Sequence, residues 1–262
     1  MRKASCCLLL IVALSAGAFY YFRNNEVANK QKEPPALPQA PEPAIRYPIE
    51  AVSPDKDLSE SANEALPALA DSDPVLGQNA EQLLGAKFPI HFYSDAIVRR
   101  IVSTVDNLPL DYVSPKVMPV KTVGGWLVTD GSGENLQLSP KNADRYSIYV
   151  ELMESAPPAK VVALYKKFYP LFQAQYEKLG YPGKYFNDRV VQVIDHLLAT
   201  PEVRRPIALV QPRVLYQFAD PDLENLSAGQ KAMIRMGPDN AERMKTLLRD
   251  YRRLLVVPLK QP

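Results

Sequence analysis

Carboxylate, amide, phenol and imidazole groups crowd one stretch of the chain, Tyr185-Phe186-Asn187-Asp188-Arg189, followed by Asp195-His196. Acids beside a histidine are the raw material of general acid–base hydrolysis, provided they converge in a cleft that shifts their pKa values. Asp188, Asp195, His196 and Glu151 are therefore the candidates for an envelope hydrolase, with Glu154 as a further carboxylate. Helix geometry weakens this reading. With Asn187 as cap, Val190, Val191, Ile194, Leu197 and Leu198 form one apolar stripe. Asp188 then lies in the first turn and His196 near the end, where the helix dipole favours each. Adjacent residues diverge by about 100° on a helix, so Asp195 and His196 do not form a dyad. Asp188, Gln192 and Asp195 share the polar face. A polar network joining Arg, Asp and Tyr from several segments is the sharper structural expectation.

Other motifs fail on spacing. In Asp130-Gly131-Ser132-Gly133-Glu134-Asn135 a calcium loop needs Gly at position six and an acid at twelve, but those are Asn135 and Lys141. Ser53-Pro54-Asp55-Lys56 matches Ser-x-x-Lys without its companion elements and falls in a polar stretch. There is no nucleophile elbow, phosphate loop or dinucleotide fingerprint. The only cysteines are Cys6 and Cys7 and the only histidines His91 and His196. That excludes a disulfide framework, a zinc cluster and a multi-histidine metal site from Leu8 onward, and no cofactor is implied. With 31 Lys and Arg against 29 Asp and Glu, interleaved, a nucleic-acid partner is not expected.

The elements that must position these residues begin after a non-globular N-terminus. Arg2 and Lys3 precede 19 uncharged residues, Ala4 to Phe22, closed by Phe19, Tyr20, Tyr21, Phe22 and then Arg23. At about 1.5 Å per residue this nearly spans a hydrocarbon core of about 30 Å, with aromatics at one interface. A single-pass inner-membrane anchor is the preferred reading. Cleavage after Ala16-Gly17-Ala18 competes with it, but the apolar run continues past that site. The basic N-terminus places itself in the cytoplasm and the remainder in the periplasm. Six prolines between Pro34 and Pro48 make an extended, semi-rigid spacer. The expected layout is an anchor over 1–23, a Pro-rich flexible linker over 24–65, a periplasmic helical domain over 66–257 and a tail over 258–262.

Within the domain, Ser72-Asp73-Pro74 predicts a helix start with Gly85 as its stop, and Ser94 is expected to cap the next helix, ending by Asn107. Short β runs around Asp130-Gly131 predict a hairpin, with Trp126 packing it on the helices. Helices follow over Asn142–Glu154, then from a Ser155 cap through Pro157 and Pro158 to Leu179. Pro170 implies a break near Tyr169. Tyr185–Ala199 is the next helix, Arg204–Pro221 looks extended, Ser227 caps a helix ending at Gly237-Pro238, and a last helix runs from about Asp239 to Leu255. The fold class is mainly α with one small β-hairpin, behind one transmembrane helix and the linker.

Four stretches carry a resemblance: Ile101–Pro109 (IVSTVDNLP), Arg145–Ser155 (RYSIYVELMES), Leu179–Glu202 (LGYPGKYFNDRVVQVIDHLLATPE) and Phe218–Lys245 (FADPDLENLSAGQKAMIRMGPDNAERMK). Over about Leu66–Arg253 the chain resembles the bacterial domain of unknown function 3014 family of Gram-negative sequences. The resemblance implies a membrane segment, a proline-rich linker and a domain without a nameable activity, and it supplies no catalytic residues. The functional expectation is thus a membrane-tethered binding module for an envelope protein, peptidoglycan or lipid. Its candidate contacts are Tyr181, Tyr185, Phe186, Asn187, Asp188 and Arg189. The helix start at Ser227, Gln230 and Lys231 joins them, where free backbone N–H groups could receive an anion. The alternative is the carboxylate–histidine hydrolase.

Overall fold

The computed structural model describes residues 45–49 and 66–256. The expected membrane segment at 4–22, most of the linker, the Ser53–Lys56 motif and the tail lie outside them. Among the described residues no helix is long and apolar enough to cross a membrane.

Among the described residues the first α-helices are α1 (Asp73–Leu84) and the short α2 (Phe88–His91), then α3 (Ile97–Asn107). A segment without regular structure leads to β1 (Thr129–Asp130) and β2 (Gln137–Leu138), and α4 (Asn142–Glu154) follows. Next come α5 (Pro158–Lys167), α6 (Tyr169–Lys178) and α7 (Phe186–Leu198). After β3 (Leu209–Val210) and β4 (Gln217–Phe218), α8 (Pro221–Glu224), α9 (Ala228–Arg235) and α10 (Pro238–Leu255) complete it. The mainly helical class and a hairpin at the expected place are both present. A second antiparallel pair, β3–β4, arises in the stretch read as merely extended. Leu138 N–H donates to Ile207 O and Leu209 N–H to Leu136 O, so the two pairs join edge to edge.

Several local expectations are corrected by tertiary contacts. Ser94 does not cap α3: the Asp73 carboxylate, from the first turn of α1, accepts from Ala96 N–H and Ile97 N–H at 2.6 and 2.9 Å. This long-range cap holds Ala96 in the left-handed region, φ 50°. The Ser155 hydroxyl donates back to Leu152 O instead of capping α5, which starts after Pro157. The helical run does break where Pro170 requires, at Phe168, separating α5 from α6. Trp126 does not pack the hairpin; it is 88% exposed. Arg145 donates to the Gly124 and Gly125 carbonyls, so the main chain of that loop is pinned, and Leu127 turns inward in place of the indole. The hairpin loop is also longer than a two-residue turn. Asp130 pairs with Gln137, and at Gly131, φ 75°, a Cβ would lie 2.2 Å from Asn135 O.

Three apolar clusters form the core. The first gathers Leu76 of α1, Ile97, Val98 and Val102 of α3, Phe168 and the inner face of α6, and Phe186. The second is built on Val191, Val193, Ile194 and Leu197 of α7 against Val162, Met233, Leu248 and Leu255. The third lies under the strands, with Leu138, Ile207, Leu209, Phe218 and Ile234. α7 thus belongs to two clusters at once: its first residue enters the first and its middle the second. α10 runs antiparallel beside it, since Asn187 meets Leu255 and Thr200 meets Lys245.

Candidate binding site at the start of the central helix

The start of α7 is built from below by aromatic residues. Tyr165 and Tyr169 meet edge to face at 5.6 Å, Tyr169 and Tyr185 lie at 5.2 Å, Phe172 stacks on Phe186 at 6.2 Å, and Tyr176 stacks on Tyr181 at 4.7 Å. Such offset and edge contacts suit the ring quadrupole. Burial pushes the Tyr165 and Tyr169 phenols far up, and pushes Tyr176 up to about 12, with the Asp106 charge adding to it. These phenols are neutral hydrogen-bonding groups at any physiological pH.

The helix start is capped by α6. Asn187 is not the cap, as sequence spacing suggests; Tyr185 holds that position and offers no side-chain capping bond. The Gln173 amide oxygen accepts from Phe186 N–H at 2.8 Å and the Tyr169 hydroxyl from Asn187 N–H at 3.3 Å. Two of the four N–H groups without an intrahelical partner are thereby satisfied from another helix. Gln173 also donates to Lys184 O at 2.8 Å, fixing the loop that leads in.

Three consecutive side chains then divide between two directions. Arg189 turns to α3, donating from Nε to Asp106 Oδ1 at 3.0 Å and from Nη2 to Asp106 O at 2.7 Å. The Tyr181 hydroxyl donates to the other carboxylate oxygen of Asp106 at 3.0 Å, and this hydrogen bond is the first cause raising its pKa. This is the expected network of Arg, Asp and Tyr from several segments. Asn187, fully buried, accepts from the Tyr165 hydroxyl at 3.3 Å and donates to Tyr47 O at 2.8 Å. Asp188 faces the same way. Its carboxylate accepts from Arg46 N–H at 3.0 and 3.2 Å and from Tyr47 N–H at 2.8 Å. The Tyr185 hydroxyl accepts from Ile49 N–H at 2.7 Å.

The start of α7 therefore grips a segment of the expected linker, Ile45-Arg46-Tyr47-Pro48-Ile49. Every N–H between Arg46 and Ile49 has a partner, because Pro48 has none to offer. Tyr47 packs on the second apolar cluster, and Ile49 on the seam of the first and second. Residues that sequence reasoning missed here are Tyr47, Asp106, Tyr165, Tyr169 and Gln173. The last three recur every fourth residue, a signal that the α5–α6 break conceals.

The second candidate region is closed by the domain itself. Ser227 does cap α9, accepting from Gln230 N–H at 3.2 Å. Ala228 N–H and Gly229 N–H, however, donate to Leu110 O and Leu108 O at 2.7 and 3.0 Å. The Gln230 side chain donates to His196 O, and Lys231 Nζ to Glu224 O and Oε1. The N–H groups expected to be free for an anion are thus occupied by carbonyls of the loop after α3.

The hydrolase candidates are not brought together. Asp188 holds the 46–47 amides, Asp195 pairs with Arg252, His196 Nε2 lies 2.8 Å from Ser227 Oγ, and Glu151 is exposed. Glu154 pairs with Arg243. At the opposite end of α7 a cavity of about 390 Å³ is lined by Glu202, Arg205, Met233, Asp239, Glu242 and Lys245 among others. It is mixed in charge, and its Lys245 is already bound to Thr200 O at 2.9 Å.

Residues 97–252, more than half of the chain, match the family described as protein of unknown function, DUF3014. No curated protein and no solved structure matches it. The matched residues hold all of α7 and its aromatic bed, while the gripped segment and the Asp73 cap lie before them.

Proposed function

The chain belongs to the DUF3014 family, and from that premise we propose that it is a tethered interaction module: a single-pass inner-membrane anchor, a proline-rich spacer and a periplasmic helical domain that binds an envelope partner. The observation that carries this reading is the docking of Ile45–Ile49 on the start of α7. Holding a stretch of main chain that precedes the helices is the capacity an interaction module needs. The titratable groups near α7 support binding over chemistry, because each is committed to a structural partner.

The surface also offers a partner apolar purchase. Val214 and Leu215, at the turn between β3 and β4, are 81% and 75% exposed, and Trp126 stands out from its loop. Isolated apolar residues are ordinary on a surface, but two adjacent ones at an exposed turn are the candidate contact point. The test is photo-crosslinking in cells from Leu215 and from Trp126, with the N-terminus of the mature protein determined on the same sample. The reading expects an uncleaved N-terminus and a discrete adduct from at least one position. A mature chain beginning after Ala18, or no adduct from either position, would overturn it.

A further inference from the structure

We propose that the groove between the start of α7 and the end of α10 is an exchangeable receptor for a peptide main chain bent as Arg46 and Tyr47 are, and that Ile45–Ile49 is its resident ligand in cis. The recognition chemistry is specific to backbone. The Asp188 carboxylate takes two consecutive N–H groups, the Asn187 amide gives a hydrogen bond to the carbonyl between them and the proline, and the Tyr185 hydroxyl takes the N–H after the proline. None of these bonds involves a side chain of the ligand. Side-chain selection is left to two sites, one for Tyr47 beside the second cluster and one for Ile49 at the seam. The pattern that fits is x-Tyr-Pro-aliphatic, bent at its first two residues so that both N–H groups face one carboxylate, with proline tolerated because no clamp residue needs its nitrogen.

Exchange follows from the size of the contact. Ile45 and Arg46 are exposed, and Tyr47, Pro48 and Ile49 are only half-buried. Fixing five backbone residues opposes what two half-buried side chains and a few hydrogen bonds return, so the docked and released states lie close in free energy. The groove itself does not depend on its occupant. Asn187 keeps Tyr165 and Leu255 as partners, and α6 caps the helix independently. On the anchored reading given above, release would lengthen the tether by the residues between 45 and 66, a consequence separate from the binding site.

The Arg46–Tyr47 bond is the natural reporter, because the Tyr47 N–H that Asp188 accepts belongs to the bond trypsin cuts. Proteolysis of a reversibly opening site follows the population of the open form. The experiment measures tryptic cleavage at Arg46–Tyr47 relative to Lys56–Asp57 in the full-length chain in detergent. Asp188→Ala should raise that ratio by about threefold, because a tenfold shift of the opening equilibrium, the scale of losing charge-assisted hydrogen bonds, acts on an open form that is already appreciably populated. On the wild-type chain, a blocked peptide spanning residues 44–51 with Arg46→Gln should raise the ratio saturably. The same peptide with the Tyr47 nitrogen methylated, which keeps the phenol but lacks the N–H that Asp188 accepts, should not. An unchanged ratio in Asp188→Ala would show that the clamp does not hold the segment. No response to the peptide would show a permanent strut, and an equal response to the N-methylated peptide would refute main-chain recognition. The peptide arms use the wild-type chain, so they decide the matter even if Asp188→Ala folds poorly. They are also independent of whether the chain is anchored in a membrane.

Discussion

Two helix starts in this molecule face the same physical problem and solve it with different material. At α9 the leading N–H groups are met by Leu110 O and Leu108 O and by the Ser227 side chain, all supplied by the rigid domain. At α7 the leading N–H groups are met by α6, and the Asp188 carboxylate is left over to hold a separate segment, Ile45–Ile49. The first arrangement is a plug and the second a socket. The difference lies in how closely the neighbours approach. Gly229 is tightly enclosed, since a Cβ there would lie 2.6 Å from Leu197 Cδ2 and 3.1 Å from Leu108 O, and both would have to shift to admit it. Asp188 extends outward beside a groove that a five-residue bent segment of chain fills.

The contrast can be tested by where each substitution acts. Phe186→Ala should have the largest effect. Phe186 is fully buried between the aromatic bed and α3, and truncation should lower unfolding stability by about 3–5 kcal/mol. Denaturant titration followed by far-UV circular dichroism checks this, since the exposed Trp126 will report unfolding poorly. Gly229→Ala should come next, at about 1–3 kcal/mol, because the added methyl group must displace Leu197 and crowd the Leu108 carbonyl. A neutral Gly229→Ala would mean that the α9 start is as adaptable as the α7 start.

Alkaline pH probes the aromatic bed alone. An acid whose folded pKa lies above its unfolded value favours the folded state below the unfolded value and withdraws that support as pH rises. Tyr176, pushed up to about 12 from 10.0, should leave stability flat below about pH 9. From about pH 10 upward each such tyrosine should then lower stability by at most about 1.4 kcal/mol per pH unit. Tyrosinate absorbance recorded alongside unfolding midpoints separates this from lysine titration. A steady midpoint through pH 11 would indicate that the bed is already solvated. The smallest global effect should belong to Asp188→Ala, under about 1 kcal/mol, because its bonds hold only a half-exposed segment. A loss as large as that of Gly229→Ala would make the socket a structural strut like the plug.

Legibility from sequence divided along the same line. Helix positions were readable wherever a local signal sufficed. Asn142–Glu154 forms as spacing predicts, Gly85 stops α1, Pro170 splits α5 from α6, and Ser227 caps α9. Where a distant group took over a local role, the reading went astray. Ser94 lost the α3 cap to Asp73, Asn187 lost the α7 cap to Gln173 and Tyr169, and Trp126 lost its core position to Leu127. The β3–β4 pair was hidden because two-residue strands carry no periodicity of their own and form only against β2.

The candidate site was half visible. Tyr181 through Arg189 could be picked out by composition, and the Arg189–Asp106–Tyr181 network follows the kind of partner such residues need. Nothing in the spacing of Ile45–Ile49, about 140 residues upstream, indicates that it is the ligand.

By itself, then, the amino-acid sequence determined the helical class, the family, the absence of thiol and multi-histidine chemistry after Leu8, and most helix ends, because these depend on composition and on contacts within a few residues. Only the tertiary structure decided which carboxylates are caps, which is a clamp and which helix start is sealed. Those roles depend on which unsatisfied donor lies nearest in space, and a chain that folds back on itself makes that neighbour independent of sequence distance.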